Sequence, residues 1–401
     1  MHPDTPSADE ASGGAAGAFT AETLRAPFER AGTMTVGLEE ELMLLDPATL
    51  DLAAGAAEAL AAVGDDPRFK LELPASQIEI LSAPARTVGE AAAQLAGGRR
   101  ELAGALGGSL RVAGAGAHPF ASGRGVLNEG PRHDAIRAEY GEVARRQLVC
   151  GLHVHVAVGG ADRTLAVYNA MRSYLPELAA LAANAPFYEG RDTGLASVRP
   201  KICDLLPRQG VPPAIASWQA LAAELSWGTA AGRLPTPRQW WWELRLHPIY
   251  GTLEARVPDT QTTVADAAAV GAVVHALAHR LAARHDAGEP LPAAPSWRIG
   301  ENRWSACRHG LAAPLADLET GACVPARERL ARLLDELDPD AAALGCGAEL
   351  RDARRLLEES GSDRQRAIAA GGGVRGVAEW LAGAFLTGAH DGPPPGSRAR
   401  A

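Results

Sequence analysis

The chain has 401 residues, 47% of them hydrophobic, enough for a large buried core and for one large catalytic domain or two ordinary ones. Its 39 Lys+Arg against 48 Asp+Glu give a formal charge of −9 with no basic run, which disfavours a nucleic-acid or anionic-membrane partner and leaves a small molecule as the default ligand. There is no stretch of about 18 uninterrupted apolar residues and the first basic residue is Arg25, so the expected location is the cytoplasm.

Residues 1–18, rich in Gly, Ala and small polar residues, lack apolar periodicity and read as a disordered segment. Strands are expected over 33–45 and 70–81, a helix over 86–107, a short strand over 110–116, a helix over 132–147 and a strand over 148–158. Helices follow over 161–184 and 214–226, a strand over 240–257, then helices over 264–287, 325–337, 347–358 and 374–387. Residues 391–401 return to a Pro- and Gly-rich, disordered composition. No repeat or long linker interrupts 19–390, which therefore reads as a single domain with a helical C-terminal part. Cys150, Cys203, Cys307, Cys323 and Cys346 are odd in number and form no C-x-x-C pair, so reduced thiols are expected.

The strands carry the unusual polar residues. In GLEEEL, Glu39 and Glu41 are two apart and share a strand face, while Leu38, Glu40 and Leu42 face the other way. Gln77 with Glu79, His153 with His155, and Glu254 with Arg256 repeat this design in three distant segments, each beside an apolar face. Carboxylates gathered in apolar surroundings repel one another unless cations neutralise them. A carboxylate-rich set with few nitrogens favours Mg²⁺ or Mn²⁺ over Zn²⁺, and such sites commonly serve nucleotide phosphates. Each motif alone is weak, since E-x-E or E-x-R usually marks an exposed face or an ion pair; their joint occurrence carries the argument.

The segments GLEEELMLLD, LELPASQIEILSAP, CGLHVHVAV, GLASVRP, LPRQGVPP, HPIYGTLEARVPD and ENRWSACRHGL, between about residues 33 and 310, resemble the glutamate–cysteine ligase type 2 family, the YbdK-like carboxylate–amine ligases of the glutamine-synthetase-like superfamily. The resemblance implies an α+β fold: a curved antiparallel sheet forming a funnel, with helices packed on its outer face. It implies metal binding by Glu39, Glu41, Glu79, His153 and Glu254, with Glu72 as a further acidic active-site residue and candidate base. It places His155 and Arg245 near nucleotide phosphate, Arg256 on the transferring phosphoryl group, and Arg199 near a substrate carboxylate. One departure stands out: WWWELRLHP carries Glu243 and Leu246 where relatives have Asp and Pro, which puts any role of Glu243 in doubt.

The implied reaction is ATP-dependent amide formation through an acyl phosphate, joining the side-chain carboxylate of glutamate to cysteine or another amine, in a homodimer. Two other readings stay open: a zinc hydrolase built on His153 and His155, and a nucleotide-binding relative without turnover. The acceptor amine is not legible, because loops build its pocket.

Overall fold

A computed structural model of the chain describes residues 19–64, 66–234 and 239–387. Both terminal segments expected to be disordered, 1–18 and 391–401, lie outside the described residues. The strands are β1 Thr35–Leu45, β2 Phe69–Leu71, β3 Gln77–Leu81, β4 Arg111–Ala113, β5 Leu152–Ala157, β6 Phe187–Tyr188, β7 Arg191–Asp192, β8 Leu244–His247, β9 Thr252–Ala255, β10 Pro314–Ala316 and β11 Cys323–Pro325. Seven of them form an open antiparallel sheet in the order β2-β3-β1-β5-β9-β8, with β4 also paired to β1; β6-β7 and β10-β11 are separate ribbons.

The sheet has one apolar face and one polar face, as the period-two pattern requires. Leu38, Leu42, Ile78, Ile80, Leu152, Val154 and Val156 are buried in the main core with helices Val88–Leu106 and Val264–Asp286. Small residues let these helices come close: a Cβ on Gly98 would sit 2.8 Å from Cγ2 of Ile80. Helix Val264–Asp286 is long and apolar enough by composition to cross a membrane, yet most of it is buried inside the fold. Its His275 ring bonds the Met34 carbonyl at 3.0 Å, and the Thr263 side chain caps its first turn.

Glu40 is the polar exception on the apolar face. Both its oxygens accept from Arg99, at 2.9 and 2.8 Å, and the guanidinium also donates to the carbonyls of Gln261, Thr262 and Phe385. The pair is completely buried and ties β1 to helix Val88–Leu106 and to the described C-terminal end.

Several expected elements divide. The segment 70–81 is a hairpin, β2 against β3, because Pro74 cannot donate to a ladder and its carbonyl accepts from the Gln77 amide to close a turn. The segment 240–257 is also a hairpin, β8 against β9, turning at Gly251 with φ +65°. Residues 161–184 form helix Ala161–Met171, a 3₁₀ turn and helix Leu175–Leu181, with Pro176 in the first turn of the last. The last helix starts at Gly361, earlier than expected, on a Ser360–Asp363 capping box, and breaks at Gly373 with φ +61°. Helices Ala21–Arg30, Ala56–Val63 and Ser296–His309 were hidden from periodicity by weak or short apolar stripes.

Candidate active site

Strand register assembles the polar face. Glu39 lies opposite His153, Glu41 opposite Glu79, His155 opposite Glu254, and Glu254 opposite Arg245. Directly paired residues project to the same side, so five strands deliver their side chains to one place. His153 Nδ1 is 3.3 Å from Glu39 and 3.9 Å from Glu79, while its Nε2 is 3.7 Å from Glu41. His155 Nε2 is 3.3 Å from Glu39 and 3.8 Å from Glu254.

Three overlapping trios result, each with ligand atoms within 4.8 Å of one another: Glu39–His155–Glu254, Glu39–Glu79–His153 and Glu41–Glu72–Glu79. Glu39 belongs to the first two and Glu79 to the last two, so the trios form a row. The Nε2 atoms of both histidines are buried without a hydrogen-bond partner. Orphaned imidazole nitrogens among carboxylates fit divalent cations, which supply the missing partner and the missing charge.

The electrostatics agree. Burial, then the charge of Glu72, pushes Glu41 up to about 7. Burial and the charges of Glu39, Glu72 and Glu41 hold Glu79 well above the usual carboxylate range. Burial opposes ionisation of Glu39 and Glu254 too, but His155 and His153 beside Glu39, and Arg245 and Arg256 beside Glu254, outweigh it and hold both well below that range. Burial and the nearby Arg256 bring His153 down to about 4, keeping it in the neutral form that can ligate. The row cannot hold all its negative charge by itself; protons or cations must complete it.

The cations around the row are themselves anchored. Arg245 grips Glu254 bidentately, Nε at 2.6 Å and Nη2 at 2.9 Å, and Arg256 Nη1 donates to the same carboxylate at 2.6 Å. His155, expected beside phosphate, stands in a trio and its Nδ1 meets Thr252 Oγ1 at 2.8 Å. Arg199 is buried and donates to the carbonyls of Arg256 and Val257 at 3.1 and 3.3 Å. It lines a cleft with Glu41, Glu72 and Arg256, next to the row. Glu72 thus takes part in both features, the third trio and the cleft. Cys150 is buried and its thiol pushed well up by burial, the state of an inert core residue.

Glu243 has a definite partner. Both oxygens accept from Arg303 of the ENRW segment, at 2.6 to 3.0 Å, and its carbonyl accepts from the Arg256 amide at 2.8 Å. It therefore fixes the backbone that carries Arg256. Sequence reasoning also missed Arg132 and Trp241, which line the same cleft from outside the sheet and belong to no period-two pattern.

The profile of glutamate–cysteine ligase family 2 (GCS2) matches residues 35–380. The chain belongs to this family. It is 40% identical over 357 residues to a Rubrobacter xylanophilus protein provisionally named glutamate–cysteine ligase 2-3, covering 87% of this chain and 96% of that one. A similarly named Thermobifida fusca protein is 35% identical over 387 residues, covering 93% and 96% of the two chains. Among solved structures, the fold is similar to a Francisella tularensis glutamate–cysteine ligase in complex with AMP, with TM-score 0.65, 11% identity and coverage of 88% and 89%. It is also similar to a bifunctional glutathione synthetase from Pasteurella multocida, with TM-score 0.61, 14% identity and coverage of 91% of this chain and 53% of that one. At these identities the shared feature is the fold, an antiparallel sheet with helices on one face. Within the GCS2 match fall all four strand segments that build the row of carboxylates.

Proposed function

We propose that the chain is an ATP- and Mg²⁺-dependent ligase that joins the side-chain carboxylate of glutamate to the amine of cysteine or another amine through an acyl phosphate. The row of three carboxylate and histidine trios beside an arginine-lined cleft carries this reading. The AMP bound by the Francisella protein of the same fold supports a nucleotide substrate.

A carboxylate anion is a poor electrophile and needs activation. One of its oxygens attacks the γ-phosphorus of ATP, the bond to the bridging oxygen breaks, and ADP leaves with the bonding pair. The amine lone pair then attacks the acyl carbon, inorganic phosphate departs, and the ammonium proton passes to a base. Divalent cations held by Glu39, Glu41, Glu79, His153, His155 and Glu254 would neutralise phosphate charge. Arg256 adds fixed positive charge at the cleft end of the row, where negative charge builds on the migrating phosphoryl group. Arg199 orients the donor through its carboxylate, and Glu72, which lines the same cleft, accepts the amine proton.

The zinc-hydrolase alternative needs His153 and His155 on one ion with a carboxylate. The two histidines fall in different trios, with Glu39 between them, which favours the ligase. An ADP-release assay with Mg²⁺, glutamate and a panel of amines, with product masses recorded, tests the proposal. ADP formation that requires both glutamate and an amine is the expected result; ATP turnover indifferent to both sinks it.

A further inference from the structure

Three arginines line the cleft, and they are engaged differently. Arg256 is bound to Glu254, and the buried Arg199 donates to backbone carbonyls. Arg132, the second residue of helix Pro131–Tyr140, is exposed and has no hydrogen-bond or ion-pair partner among the described residues. A partnerless guanidinium lining a cleft is available for an incoming carboxylate.

The wall beside it is apolar and rigid. Ile136, one helical turn on from Arg132, is buried with Leu127 and Ala144, and Leu73 and Trp241 pack against them. The Trp241 ring meets Tyr140 edge-on at 5.8 Å and carries the Arg208 guanidinium at 5.4 Å. Arg208 holds a left-handed φ of +59° and donates to the Tyr140 hydroxyl at 2.8 Å and the Gln239 carbonyl at 3.0 Å, so several bonds fix this wall. A preformed apolar surface next to a free cation suits a ligand with one carboxylate and one small apolar or thiol side chain.

Which of the two substrates meets Arg132 follows from order and depth. The donor must lie against the phosphoryl group, beside Arg256, so its second carboxylate falls to the buried Arg199. The acceptor attacks afterwards and arrives from solvent, past the exposed arginine. Resting on the ligase reading, we propose that Arg132 binds the carboxylate of the acceptor. The acceptor side chain then packs on Ile136 and Trp241, and Arg132 is the residue that separates amino-acid acceptors from simple amines.

The test compares matched acceptors with and without a carboxylate: cysteine against cysteamine, 2-aminobutyrate against propylamine, alanine against ethylamine, each with glutamate and Mg·ATP. Wild type should prefer the amino acid of the productive pair in kcat/KM, and Arg132→Gln should raise the acceptor KM about 10- to 100-fold. The variant should leave the KM values of glutamate, ATP and the decarboxylated amine unchanged, so that the preference collapses. Arg132→Lys, which keeps the charge, should recover part of it. Arg132 is exposed, so loss of folding is not expected, and unchanged thermal melting checks this. Wild-type turnover indifferent to the acceptor carboxylate overturns the inference alone, as does a rise in glutamate KM in Arg132→Gln, which would assign the arginine to the donor. No ADP release with any amine overturns the ligase reading and this inference together.

Discussion

Arg99 and Glu40 form a completely buried bidentate pair on the core face of β1, immediately between the two carboxylates that β1 sends to the opposite face. Removing one partner would strand a charge in the core. Arg99→Met should therefore cost about 3–5 kcal/mol of stability, readable as a lower midpoint in urea unfolding. Replacing both, Arg99→Met with Glu40→Leu, should recover most of that loss. A single variant as stable as the parent would show that the pair is not what holds β1 on its helix.

Glu79 belongs to two trios, and burial with the charges of Glu39, Glu72 and Glu41 disfavours its ionised form. Gln cannot ionise, so Glu79→Gln spares the metal-free protein any cost of charging this buried position but removes a shared ligand. The expected outcome is a metal-free melting temperature at or above that of the parent, with Mg²⁺-induced stabilisation lost and turnover down at least about 100-fold, or roughly 2.7 kcal/mol of barrier. A Mg²⁺ titration followed by both thermal melting and ADP release checks the two halves separately.

Arg256 lies between Glu254, at 2.6 Å, and the cleft. Lysine keeps its charge but loses the planar fork, so Arg256→Lys should lower kcat by about 100-fold or more with nucleotide affinity largely intact. If Arg256 only pairs with Glu254 to hold the sheet, lysine would substitute with little kinetic effect. Steady-state kinetics at saturating Mg·ATP distinguish these outcomes, and an unchanged kcat removes Arg256 from phosphoryl transfer.

Two histidines outside the row make stability depend on pH. Burial brings both His118 and His275 down to about 4. The His118 Nδ1 accepts from the Ala121 amide at 2.9 Å, which with burial keeps the ring neutral, and Nε2–H donates to the Leu50 carbonyl at 2.8 Å. Because the folded pKa lies below the unfolded one, the unfolded chain takes up the proton first. The contribution is thus complete above about pH 6.5 and lost as pH falls towards 4. His118→Gln should flatten the fall in unfolding free energy between pH 7.5 and 5 by roughly 2 kcal/mol. Equal slopes for variant and parent in urea titrations at the two pH values would contradict this.

The sequence by itself determined which residues share a face. Glu39 with Glu41, Gln77 with Glu79, His153 with His155 and Glu254 with Arg256 follow from the two-residue period of a strand, a local property of the backbone. The same period put Glu40 among leucines without revealing its partner. Only the tertiary structure decided what lies across from what. Glu39 meets His153 from 114 residues away, Arg99 reaches Glu40 across 59 and Arg303 reaches Glu243 across 60. Strand register and helix packing set those meetings, and both depend on how the whole core closes rather than on any short segment. The division of the ligands into a row of trios sharing Glu39 and Glu79 follows from register, and the placing of Arg132 and Trp241 on one cleft follows from loops and a helix outside the sheet. Periodicity carries no information about either, because it describes one element at a time.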